Sequence, residues 1–262
     1  MKIALIDSGL GLLPAAAAVR RLRPDASLIL SSDPRSMPWG PRTPEDVTAH
    51  ALACARAAAG HRPDALIVAC NTASVHALPA LRAEFEPALP VIGTVPAIKP
   101  ATATGGPVAI WATPATTGSA YQRGLIADFA EGVVTTEVAC PGLADAVERA
   151  DERAIAAAIA AAADGTPGGI QALVLGCTHY ELVAERIRAA VQQPGRHTVA
   201  LHGSAGAVAA QALRRIGAEP APAAAPSEGL TVILSGDEAV LPSAALAYAE
   251  GRALTAASPA PR

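Results

Sequence analysis

The chain has 262 residues, 51% hydrophobic and 16% charged, a balance that supports a sizeable core in one large or two small domains and excludes a disordered polymer. Its net charge of −3 with no basic stripe excludes a nucleic-acid-binding footprint, and no apolar run approaches the ~18 residues of a membrane span. Four cysteines (Cys54, Cys70, Cys140 and Cys177), with no CxxC and no paired-histidine spacing, exclude a disulfide scaffold and a zinc site; free thiols in a reducing cytoplasm are expected.

The opening MKIALIDSGLG has one lysine and an apolar run too short for a signal-peptide core, and predicts a first strand over 2–7. Further strands are predicted over 26–31, 65–70, 90–93, 107–112, 133–139, 171–176, 197–202 and 230–235. Alanine-rich helical stretches separate most of them. Thr43-Pro44-Glu45-Asp46 supplies an N-cap, a first-turn proline and first-turn acids, and Gly60 closes that helix. The βαβα order predicts an α/β fold with parallel sheets covered by helices. A proline-rich linker is expected over 219–229 and a frayed tail, ASPAPR, at the end.

The strand ends repeat. IALIDSG and VAIWATP each close on small or polar residues, and IVACNTAS in one half is echoed by LVLGCTHY in the other. We therefore expect two pseudo-symmetric lobes, 1–95 plus 208–262 and 96–207, with the active site in the crevice between them at the carboxyl ends of the strands. Cys70 and Cys177 both fall where a strand passes into a helix, followed by Asn71-Thr72 and Thr178-His179. A lone buried cysteine is usually packing. Two in matching positions, each beside helix-start amides that favour anions, point to chemistry. Cys54 and Cys140 lack such neighbours and read as structural. The GLG after Asp7-Ser8 is no dinucleotide fingerprint, because Pro14 stands where the third glycine is needed.

IALIDSGLG, SSDPRSMPWG, IVACNTAS, PVIGTVPAIKPA, WATPATT with Tyr121, ACPGLADAVE, LGCTHY and LSGDEA, taken together, resemble the glutamate racemases of the aspartate/glutamate racemase superfamily along nearly the whole chain. The resemblance implies a cofactor-independent isomerase converting L-glutamate to D-glutamate for peptidoglycan. It implies catalytic roles for Cys70 and Cys177 on opposite faces of the substrate α-carbon, with Asp7 assisting the first and Glu148 and His179 the second. It implies substrate contacts from Asp7, Ser8, Trp39, Gly40, Asn71, Thr72, Thr113, Thr116, Thr178 and His179. It also implies no metal or other cofactor, a homodimer, and, by family analogy, DNA gyrase as a possible protein partner.

The chemistry is coherent with this assignment. Moving a proton from one face of a carbon to the other needs two bases, and a thiol with an ordinary pKa near ~8.5 can serve as either thiol or thiolate. Four positions depart from the family pattern. Leu12 replaces a glycine and requires ordinary backbone angles. Trp39 replaces a tyrosine, keeping a donor but moving it. Glu181 replaces a proline and adds a negative charge near an acidic substrate. His202-Gly203-Ser204 stands where Asp-Ser is usual. These leave two alternatives: another acidic amino acid such as aspartate as substrate, or a catalytically weak regulator on a racemase scaffold.

Overall fold

The computed structural model describes residues 1–103, 105–227 and 229–256; the predicted tail over 257–262 lies outside them. The chain divides into two compact units, residues 1–95 with those from 205 onward, and 96–204.

In the first unit, β1 (Lys2–Asp7) buries every residue after Lys2, as a strand covered on both faces must. It is followed by α1 (Leu13–Leu22), β2 (Ser27–Ser32), α2 (Pro44–Ala59), β3 (Ala65–Val68), α3 (Asn71–His76), α4 (Leu78–Phe85) and β4 (Val91–Gly93). The second unit contains α5 (Ile98–Thr102), β5 (Val108–Ala112), α6 (Ala120–Phe129), β6 (Thr135–Ala139), α7 (Leu143–Glu148), α8 (Glu152–Asp164), β7 (Ala172–Leu175), α9 (Ala184–Val191) and β8 (Ala200–His202). The chain then returns to the first unit with α10 (Ala205–Arg215), β9 (Leu230–Leu234), β10 (Asp237–Ala239) and α11 (Ala249–Ala256).

The sheets run β10-β9-β2-β1-β3-β4 and β6-β5-β7-β8. All pairings are parallel except β10 with β9. The order β2-β1-β3-β4 reappears as β6-β5-β7-β8, so each unit winds outward from a central strand in one direction and then the other. The weak repeat in the sequence is thus a repeat of winding. Helix α2 starts as its sequence demands. The Thr43 hydroxyl accepts the Asp46 N–H at 3.3 Å and Pro44 takes the first helical position, an arrangement contributing about 1 kcal/mol.

Three details differ from expectation. β3 ends at Val68 rather than residue 70, because Cys70 has already turned out of the ladder to cap α3. β10 was not anticipated. Ser235 (φ 49) and Gly236 (φ 91) form a two-residue turn of the kind that folds a strand back antiparallel. The proline-rich stretch 219–229 is no free linker. The Ala221 and Ser227 N–H groups donate to the Leu22 and Pro24 carbonyls at 2.8 Å, and the Arg20 guanidinium binds the carbonyls of Ser227 and Gly229.

Gly176, between β7 and Cys177, lies against the neighbouring strand. Its N–H donates to Trp111 O at 2.7 Å, and a Cβ there would stand 2.7 Å from that same oxygen. Both atoms belong to backbone and cannot step aside. Gly176→Ala should therefore cost about 1–3 kcal/mol, read as a fall of several degrees in Tm by calorimetry; an unchanged Tm would contradict this packing.

Candidate active site

In parallel α/β sheets, ligands bind beyond the carboxyl ends of strands where the winding reverses. In the first unit that point lies between β1 and β3. Asp7 ends β1, fully buried, and Ser8 follows it, also buried. Cys70 lies two residues beyond β3 in extended conformation (φ −138, ψ 123), with buried Asn71 and half-buried Thr72 opening α3. The strand end beneath Cys70 is fastened. The Thr94 and Ser74 hydroxyls both donate to Val68 O, at 2.7 and 3.3 Å, and the Thr94 N–H donates to Ser74 Oγ at 2.8 Å. Sequence reading passed over Thr94, because no motif marks a threonine on the adjacent strand's exit. Leu12 has ordinary helical angles (φ −75, ψ −18), as its side chain requires.

In the second unit the reversal lies between β5 and β7. Thr113 and Thr116 follow β5, their hydroxyls 3.2 Å apart. Cys177 follows β7 with almost the same backbone as Cys70 (φ −135, ψ 135), and it stands at the start of a short 3₁₀ helix over Thr178–Val183. Thr178 and His179 are buried there. His179 Nε2 lies 3.0 Å from Glu148 Oε2, and Nδ1 lies 3.9 Å from Cys177 Sγ. His179 thus bridges the Glu148 carboxyl and the Cys177 thiol, one through each ring nitrogen. Glu148 is delivered by the last residue of α7, a short helix entered through Gly142 at φ 72.

The two remaining cysteines are inert by environment. Burial, reinforced by the charges of Asp33 and Asp7, pushes the Cys54 thiol up to about 12. Burial, with the neighbouring Cys177, does the same to Cys140, also to about 12.

Two sequence expectations change. The Trp39 indole N–H donates to Ser36 Oγ at 2.8 Å and the side chain is 1% exposed, packed in one cluster with Ile6, Val68 and Cys70. Its donor is therefore engaged within the protein. Gly40 beside it is half-buried. Glu181 is likewise engaged: its Oε1 accepts the Ser204 N–H at 2.8 Å and the Ser204 hydroxyl at 3.0 Å. A Cβ on Gly203 would collide with Glu181 Oε2. The Glu181 and Gly203 departures are thus one packing arrangement, and the carboxylate's charge is partly spent on Ser204.

The family model for Asp/Glu/hydantoin racemases matches residues 13–234. The chain belongs to the Asp/Glu/hydantoin racemase family. It is 39% identical to the glutamate racemase of Roseiflexus sp. over 71% of this chain and 70% of the relative. It is 32% identical to that of Ectopseudomonas mendocina over 92% of this chain and 93% of the relative. A solved structure of Escherichia coli glutamate racemase, in complex with L-glutamate and the activator UDP-MurNAc-ala, aligns at a TM-score of 0.78 with 27% identity, covering 94% of this chain and 91% of that one.

Iodoacetamide at about pH 8 should label Cys177 of this racemase well before Cys54 and Cys140, since a buried thiol with a pKa raised to about 12 offers almost no thiolate. Peptide mapping by mass spectrometry reads the order; equal labelling of Cys54 or Cys140 in folded protein would refute it.

Proposed function

We propose that this racemase interconverts L-glutamate and D-glutamate without a cofactor, by proton transfer through Cys70 and Cys177, and supplies D-glutamate for peptidoglycan in the cytoplasm. The observation that carries this reading is the matched placement of the two thiols. Each follows the third strand of the same winding order, next to the reversal, in the same extended conformation at a helical start. The glutamate racemases it resembles over most of their length support the substrate.

One thiolate takes the α-proton: the C–H bond breaks, an S–H bond forms, and the electron pair stays on carbon. The other thiol returns a proton to the opposite face: its S–H bond breaks and a new C–H bond forms. The thiols end with their protonation states exchanged, so a path must reset them. On the Cys177 side, His179 and Glu148 form that path, the ring accepting the thiol proton at Nδ1 while its Nε2–H is held by the carboxylate. On the Cys70 side, Asp7 is the matching carboxylate in this reading. Asp7, Ser8, Asn71, Thr72, Thr113, Thr116, Thr178 and His179, with Trp39 and Gly40, bind the substrate. Their hydroxyl, amide and backbone donors offset the charge that builds up in the transition state.

Among the described residues no helix is long and apolar enough to cross a membrane. A homodimer is the assembly we propose, on the family resemblance; a DNA gyrase contact is proposed on the same ground.

L-Glutamate incubated with the protein in deuterated water should exchange its α-proton and yield the D-isomer. Cys70→Ala or Cys177→Ala alone should reduce racemisation by at least about 10³-fold. A panel including aspartate, compared by kcat/KM, should favour glutamate, because neither Trp39 nor Glu181 brings an unengaged polar group. Exchange with no amino acid at all would refute the assignment. His179→Gln should lower kcat, since the ring nitrogen nearest the thiol is 3.9 Å from Cys177 Sγ and acts on its proton.

A further inference from the structure

The turn bearing Trp39 and Gly40 spans the gap between β2 and α2 and has no place in the sheet ladder. A network of polar contacts holds it instead. The Ser36 N–H and hydroxyl both donate to Asp33 O, at 3.1 and 3.2 Å. The same hydroxyl accepts the Trp39 indole N–H at 2.8 Å. Arg42 closes the turn. Its N–H donates to Trp39 O at 3.1 Å, its Nε to Ser36 O at 2.6 Å, and its Nη1 to Asp46 Oδ2 at 2.6 Å.

The network ends on Asp33, which is buried. Its Oδ2 lies 2.8 Å from His50 Nδ1 on α2, and its Oδ1 accepts the Ser235 hydroxyl at 2.5 Å from the turn after β9. His50 Nε2 in turn lies 3.4 Å from Asp46 Oδ1. Burial opposes the ionised form of Asp33, but hydrogen bonds from Ser235, Ser36 and His50 outweigh it and hold the carboxyl below its ordinary range. This ionised, buried carboxylate therefore ties the end of β2 to the middle of α2 and to the turn after β9, while the main-chain carbonyl of the same residue receives Ser36 at the base of the Trp39 turn. The indole that this turn presents packs in the cluster containing Cys70.

We propose that Asp33, His50 and Ser36 are positioning residues that hold the Trp39–Gly40 turn against the core cluster that includes Cys70 and so set substrate binding rather than the proton-transfer step. This rests on the reading that Trp39 and Gly40 contact the substrate. The carboxylate, held by His50 and Ser235, fixes Asp33; the Asp33 carbonyl receives Ser36, and Ser36 fixes the indole. Releasing either lets the turn drift by a fraction of an ångström to an ångström, a displacement that weakens a binding contact steeply. The thiol itself stays anchored through β3 and its own contacts, so the chemical step is spared.

The test uses the full chain in the variants Asp33→Asn, His50→Gln, Ser36→Ala and Ser36→Thr. There are two tryptophans, Trp39 and Trp111, and the Trp111 indole N–H donates to Thr166 in the other unit. With ¹⁵N-tryptophan labelling, the Trp111 resonance reports intact folding and the Trp39 resonance, assigned by its loss in Trp39→Phe, reports the turn. Asp33→Asn, His50→Gln and Ser36→Ala should shift or broaden the Trp39 resonance alone and raise KM about tenfold with kcat within about twofold. Ser36→Thr, which keeps the hydroxyl, should restore both. An unmoved Trp39 resonance in His50→Gln and Ser36→Ala overturns the proposal. So does a moved resonance with kcat reduced and KM unchanged. If Asp33→Asn fails to fold, the His50 and Ser36 variants decide. If the wild-type chain racemises no amino acid, the functional reading fails, and the indole resonance still decides whether the network positions the turn.

Discussion

The governing constraint is the one that parallel pairing places on the chain. Each parallel strand must return over the sheet through a crossover before the next can begin. Where successive crossovers change side, the chain leaves neighbouring strand ends in opposite directions and opens a gap between them. Both units meet this constraint with the same strand order, and both place their candidate functional groups at the gap: Asp7, Ser8 and Cys70 between β1 and β3, Thr113 and Cys177 between β5 and β7. The repeated motifs in the sequence are the residues at these two reversals.

What the chain builds around each thiol differs. Cys70 stands on a strand end clamped by Ser74 and Thr94, next to a fully buried Asp7. Cys177 faces a histidine whose far nitrogen is held by a carboxylate. The winding is symmetric and the titratable groups set around the two thiols are not. This accords with a reaction in which the two thiols exchange roles but each relies on its own route for resetting protons. The partner of His179 beside Cys177 is a sequence-distant residue, Glu148, arriving at the end of a short helix.

Much of the fold was legible because its signals are local. Continuous apolar runs became strands, Thr43 and Pro44 started α2, and Leu12 took the helical angles its side chain demands. The misses were contacts that no local pattern encodes. β10 is a short polar strand whose pairing is dictated by the Ser235-Gly236 turn rather than by hydrophobic periodicity. The segment 219–229 reads as a linker by composition, yet its backbone is pinned by Arg20 and by the loop after α1.

By itself the sequence determined the α/β class, the repeat, the candidate chemical groups and their family resemblance, because apolar runs, caps and motif residues are encoded in neighbours along the chain. Only the tertiary structure decided what Trp39 and Glu181 do. Read in one dimension, they are a displaced donor and an extra charge. In three dimensions Ser36 takes the donor and Ser204 takes the carboxylate. A polar group's effect on a site depends on which partners reach it, and those partners are brought by folding from elsewhere in the chain.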